Sequence, residues 1–95
     1  MIHIEWSSRA EEDFNSIFDY IAEENPAAAV RQTDLILEAV QQLRRFAESG
    51  MRSIIRRNRK LAVPRTPYAI YYRFKHERIE LTAIRHGAKR PLKRL

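Results

Sequence analysis

Cysteine is absent from this chain of 95 residues, which excludes disulfides and thiolate metal sites and is compatible with a reducing compartment. Glycine is nearly absent. Gly50 and Gly87 are the only two, so no glycine-rich loop can cradle a phosphate. Histidines stand singly at positions 3, 76 and 86, and no cluster of His, Asp and Glu has metal-ligand spacing, so neither a metal nor a cofactor is expected. No serine lies on the constrained turn that a Ser-His-Asp nucleophile requires. No run approaches the ~20 apolar residues of a membrane span, and no basic segment followed by an apolar run opens the sequence. A cytoplasmic protein with no membrane partner is the expectation. A chain this short builds one modest core and buries roughly 65 % of its unfolded surface, so a partner can add to its stability.

What the chain has is charge, unevenly placed. Residues 1–46 carry four Lys or Arg against nine Asp or Glu, net −5, whereas residues 47–95 carry fourteen against three, net +11. A basic half implies an anionic partner: nucleic acid, a nucleoprotein machine or an acidic protein segment.

The most patterned stretch is Pro67 to Arg90. Tyr68, Ile70, Tyr72 and Phe74 alternate along one run, and Ile79, Leu81 and Ala83 along a second. Aromatic and β-branched residues at period two predict strands. Tyr71, Arg73, Glu80, Thr82 and Ile84 then fall on the opposite faces. The charged Lys75-His76-Glu77-Arg78 between the runs reads as a hairpin loop, although no Asn-Gly or Asp-Gly marks its register. The exit is cationic through Arg85, His86, Lys89, Arg90, Lys93 and Arg94.

Upstream, Ile2 to Trp6 alternates and predicts a short strand with Ile2, Ile4 and Trp6 facing the core. Ser8 and Glu11 have capping-box spacing, which starts a helix there. Ala10, Phe14, Ile17, Phe18 and Ile21 form its apolar stripe. Asn25-Pro26 is the next boundary, with Asn25 as cap and Pro26 as first residue of a second helix. That helix runs through Phe46, with Ala29, Thr33, Ile36, Val40, Leu43 and Phe46 or Ala47 inward, and ends at Ser49-Gly50. Two long helices joined so tightly pack antiparallel. In the basic connection after them, Ile54-Ile55 either dock against the core or add an edge strand. Arg59 to Val63 reads as a strand stopped by Pro64 and the Arg65-Thr66-Pro67 turn. The expected order is β-α-α-β-β-β. This is an α+β fold: an N-terminal strand and an antiparallel helical hairpin packed on a small, mostly antiparallel C-terminal sheet whose other face is partly open.

The candidate site is cationic: Arg59, Lys60, Arg73, Arg85, His86, Lys89 and Arg90. Such a set can bind an acidic target or a nucleoprotein. It can also clamp a phosphodiester with His86 as proton carrier. For Tyr68, Tyr71 and Tyr72, packing is favoured over base stacking.

The ordered pieces resemble a known family. They are Trp6, Ala10, Asp13, Ile17 and Tyr20-Ile21-Ala22, then Asn25-Pro26 with Ala29, then Arg59-Lys60-Leu61. Pro67-Tyr68, Tyr72-Arg73 and Arg85-His86-Gly87-Ala88-Lys89 complete the set. Together they look like the RelE/ParE superfamily of type II toxin–antitoxin toxins, closest to its ParE or plasmid-stabilisation branch, with residues 1–95 as one toxin domain. The resemblance implies a helical hairpin against a small antiparallel sheet, and a cognate antitoxin whose acidic-amphipathic segment wraps the toxin in a hetero-oligomer. It also implies one of two targets, DNA gyrase for ParE-like members or ribosome-bound mRNA for RelE-like endoribonucleases. On the second, the residues around the scissile phosphate are Lys60, Arg73, Arg85, His86 and Lys89. Ala62 and Ala69, however, stand where RelE-like enzymes carry Lys and Arg, and Leu95 where they carry a tail tyrosine. One well-placed electrostatic donor is worth roughly 2–4 kcal/mol to a transition state, so the resemblance favours a non-enzymatic toxin that binds gyrase.

Overall fold

The chain opens with β1 (His3–Trp6), whose partly buried Ile4 and Trp6 pack on the core together with Ile2. Helix α1 (Ser8–Ala22) follows at once, and Ser7 rather than Ser8 is its cap. Ser7 has extended geometry, its hydroxyl accepts from the Ala10 N–H at 3.0 Å, and its own N–H still bonds to the Leu81 carbonyl. The residue that ends the strand ladder therefore begins the helix, which is why the cap falls one position earlier than the Ser-x-x-Glu spacing suggests. Asn25 caps α2 (Pro26–Leu43) by accepting the Ala28 N–H at 3.0 Å, with Pro26 in the first turn. This helix stops short of the predicted Phe46. Arg44 and Arg45 donate to Gln41 and Gln42, three residues back, which tightens the last turn and closes the helix. Ala47 is then buried while Phe46 is left largely exposed.

The computed structural model describes residues 2–47, 51–52 and 58–87. The predicted Ser49-Gly50 stop and the Ile54-Ile55 pair lie outside them. Beyond α2, β2 (Met51–Arg52), β3 (Arg59–Ala62), β4 (Tyr68–Lys75) and β5 (Arg78–His86) complete a five-stranded sheet of order β1-β5-β4-β3-β2. All pairings are antiparallel except β1 with β5. The architecture is the α+β layout expected, with the two-residue β2 added at the far edge.

The helical hairpin covers one face. Ala10, Ile36, Val40 and Leu43 meet Ile70, Tyr72, Ile79, Leu81 and Ile84 in one cluster. Each buried Ile, Leu or Val among them contributes roughly 1.5–3 kcal/mol on burial. Trp6 closes one end edge-on to Phe14, with ring centroids 5.5 Å apart. Phe18 is only partly buried. The Tyr72 hydroxyl donates to the Ala47 carbonyl at 2.7 Å and fastens the chain beyond α2 to the middle of the sheet.

One irregularity changes which residues face the helices. The β4–β5 register slips between Tyr71 and Tyr72, which pair with Ala83 and Leu81. Thr82 is the extra residue of a β-bulge. Past it the alternation inverts: Ile84 enters the main core, and Ala83 joins Ala69 and Tyr71 in a second buried cluster. The sequence pattern placed Ala83 inward and Ile84 outward, because strict period two holds only while no residue is inserted. Thr82 uses its hydroxyl to reach Asn58 Oδ1, at 2.9 Å in a buried position.

Both turns of the sheet use backbone that non-glycine residues seldom adopt. His76 and Glu77 have φ of 52° and 56°, the positive pair of a two-residue type I′ hairpin turn. Arg65 has φ of 64° after Pro64, and Thr66 N–H closes that turn on the Val63 carbonyl, as in a type II turn.

Candidate functional site

β1 ends at Trp6, opposite Leu81, whereas β5 continues to His86. Along that continuation no strand among the described residues covers the outer edge of β5, and α1 crosses it instead. The Ser7 hydroxyl donates to the Thr82 carbonyl at 3.3 Å, and Asp13 Oδ2 accepts the Ile84 N–H at 2.9 Å. A side-chain carboxylate thus replaces the missing ladder partner and keeps a part-buried N–H satisfied.

Between this edge and the helices lies a groove of about 670 Å³. Ile17, Tyr20 and Ile21 of α1 form one wall, Gln32 projects from α2, and Tyr68, Ile84, Arg85 and His86 form the other side. His86 sits opposite Tyr68 in the register, and their rings meet edge-on at 5.5 Å. Burial pushes the Tyr68 phenol above its ordinary value of 10.0, and the neighbouring Tyr20 pushes it the same way, so Tyr68 stays a neutral donor at physiological pH. Gly87 closes the groove's end by donating its N–H to the Pro67 carbonyl. A Cβ at Gly87 would lie 3.1 Å from that oxygen, so glycine is used here for close approach.

The predicted cations do not gather at one point. By alternation and register, Lys60, Arg73 and Arg85 belong to the sheet face turned away from the helices, with Ala69, Tyr71 and Ala83. Lys60 holds its ammonium 5.9 Å from the Tyr71 ring centroid. Arg73 is set apart near the hairpin tip, facing Glu80 and sharing a shallow depression with Glu5, Lys75 and Arg78. Arg59 pairs with Tyr72, on the helix side, and His86 lies in the groove. Lys89 and Arg90 fall outside the described residues. Ala62 and Ala69, singled out in the sequence, are direct cross-strand partners, and Ala69 is in turn opposite Arg85. Two methyl groups therefore share the row that Arg85 ends, one step beyond the row of Lys60 and Tyr71.

Sequence reasoning missed Gln32, because a glutamine in an amphipathic helix carries no signal. Asp13 and Tyr20 were visible as parts of a motif, but their neighbours were not.

The chain matches, over residues 4–91, the family described as the ParE toxin of the type II toxin–antitoxin system parDE. It is 32% identical over 84 residues to a putative toxin, Y4kP, of Sinorhizobium fredii, covering 88% of this chain and 86% of that protein. It is 30% identical over 89 residues to toxin RelE2 of Caulobacter vibrioides, covering 94% and 99%. Among solved structures it resembles a chain of the chromosomal ParDE system of P. aeruginosa, with a TM-score of 0.81 and 27% identity over 90% of this chain and 96% of that one.

Proposed function

This chain belongs to the ParE toxin family of type II toxin–antitoxin systems, and from that premise we propose that it arrests growth by binding DNA gyrase, as a single toxin domain held in check by a cognate antitoxin. The observation that carries the reading is the Ala62–Ala69 pair. These are the positions at which the RelE-like enzymes carry Lys and Arg, and here they form an apolar gap in the cationic face. A phosphodiester transition state needs charge concentrated where negative charge develops. Lys60, Arg73 and Arg85, parted by alanines and by Glu80, suit docking to an extended acidic surface better. Arg59, Lys60, Arg73, Arg85 and His86 are the target-binding residues on this reading, together with Lys89 and Arg90. The antitoxin contributes an acidic-amphipathic segment that folds onto the toxin in a hetero-oligomer.

The second reading, a ribosome-dependent mRNA endoribonuclease, draws on Tyr68 and His86 facing one another in one groove. A phenol and an imidazole are suitable groups for proton transfer.

One comparison separates the two. Purified toxin is added to a gyrase supercoiling reaction and, in parallel, to translating ribosomes read by toeprinting. Inhibited supercoiling or trapped cleaved DNA, with intact mRNA, is the expected result. Cut mRNA with untouched gyrase would overturn the first reading in favour of the second, and expression without growth arrest would overturn both.

A further inference from the structure

The extra residue of the β4–β5 bulge is held by side chains from outside the hairpin. The Ser7 hydroxyl donates to the Thr82 carbonyl at 3.3 Å, where the β1 ladder has just ended at Leu81. The Thr82 hydroxyl donates to Asn58 Oδ1 at 2.9 Å. Asn58 immediately precedes β3, and the sheet order puts β4 between β3 and β5, so this second bond reaches past a whole strand. Asn58 is 1% exposed and Thr82 8%. In such a low-dielectric setting a group left without its partner is costly, so a buried polar pair favours the one arrangement that joins it. A bulge one position earlier or later would turn Leu81 or Ala83 toward Asn58, and neither side chain has a donor. The pair therefore fixes where the extra residue goes.

The consequence runs to the end of the strand. Ile79 and Leu81 belong to the core beneath the helices. Unbroken alternation from them would carry Ala83 and Arg85 to that side and His86 to the other. With Thr82 inserted, Arg85 is opposite Ala69, on the face that holds Lys60 and Arg73, and His86 is opposite Tyr68, in the groove. We propose that Asn58 and Thr82 are positioning residues for target binding: their hydrogen bond pins the bulge, and the bulge delivers Arg85 to the cationic face and His86 to Tyr68. The inference rests on the reading that these cations bind the target, and it deepens that reading. Both residues are buried, so they act through Arg85 and His86 and not by contact with the target. Re-aiming the side chains beyond it is what a bulge does in a strand that carries a site.

The experiment compares two variants of the full-length toxin: Thr82→Val, which keeps the branched shape and removes the hydroxyl, and Thr82→Ser, which keeps the hydroxyl. Potency is read as inhibition of gyrase supercoiling. Placement is read by NMR as the nuclear Overhauser contact between the His86 and Tyr68 rings, whose centroids lie 5.5 Å apart. Thr82→Val should weaken that contact and lose about three- to tenfold in potency, the factor by which one such bond favours the competent arrangement. Thr82→Ser should keep both. The paired change Asn58→Leu with Thr82→Val removes both partners of the bond together. It should unfold nearer the wild-type midpoint than Thr82→Val does, yet recover neither potency nor ring contact, and it decides the matter where the single change does not fold.

Full potency in Thr82→Val would overturn the inference, and so would lost potency with the His86–Tyr68 contact intact. A lowered midpoint with both potency and contact retained would make the pair structural only. Wild-type toxin without effect on gyrase would remove the underlying choice of target. Growth arrest on expression then replaces supercoiling as the measure of potency, and the same comparison of variants upholds or overturns the inference.

Discussion

The two ends of the β4–β5 hairpin are built by opposite means. At the tip, Lys75, Arg78, Glu5, Arg73 and Glu80 crowd around a two-residue turn whose backbone is held in a rarely populated region. The ion pair there, Arg78 to Glu5 at 2.8 Å, joins side chains 66% and 53% exposed. At the base the groups are fewer and sheltered: Ile84 in the core, its N–H on Asp13, Tyr68 against His86, and Gly87 against Pro67. The tip is denser in charge, yet solvent screening and side-chain entropy leave exposed pairs with little net value. The base has one or two bonds per residue in a low-dielectric setting, where losing a partner is expensive. Charge density is therefore a poor guide to where this hairpin is held.

Four measurements can break that contrast. The largest effect is expected from Ile84→Ala, which opens a cavity in a site 2% exposed and should cost about 2–5 kcal/mol in urea denaturation. Next comes Asp13→Ala, which strands the Ile84 N–H and should cost about 1–3 kcal/mol. Amide exchange at Ile84 should accelerate in parallel, and Asp13→Asn, which keeps an acceptor, should restore most of the loss. At the tip, the double change His76→Asn with Glu77→Gly supplies the residues a type I′ turn favours and should raise stability by about 1 kcal/mol. Smallest is the Glu5–Arg78 coupling in a double-mutant cycle, below about 1 kcal/mol and fading as salt is added. A tip pair worth more than the Asp13 bond would reverse the comparison.

Much of the fold is legible before any coordinates exist. Asn25-Pro26 announces the second helix because its chemistry is local: a short polar cap and a ring already set at the helical φ. The apolar stripes of α1 and α2 and the alternation of Tyr68 to Phe74 are likewise readable, since each reports one element's period against one core. The candidate site is legible only as a list of cations. Their division between two faces, with Lys60, Arg73 and Arg85 on one and Arg59 and His86 on the other, depends on pairings between strands far apart in sequence. Asp13 illustrates the limit: as one acid in a run it reads as a wet helix face, yet it completes the hydrogen bonding of a strand 71 residues away.

The amino-acid order by itself determined most of the element types, the Asn25 cap of α2 and the segregation of charge. Those follow from side-chain size, backbone preference and identity, which each residue carries with it. Tertiary structure alone decided that Ser7 joins strand to helix, that Thr82 is inserted as a bulge, and that Ile84 and not Ala83 enters the core. It also created the groove, because β5 runs on past the end of β1 and α1 must cover the exposed edge. These depend on which partner each backbone group finds, and that choice is made between elements and not within them.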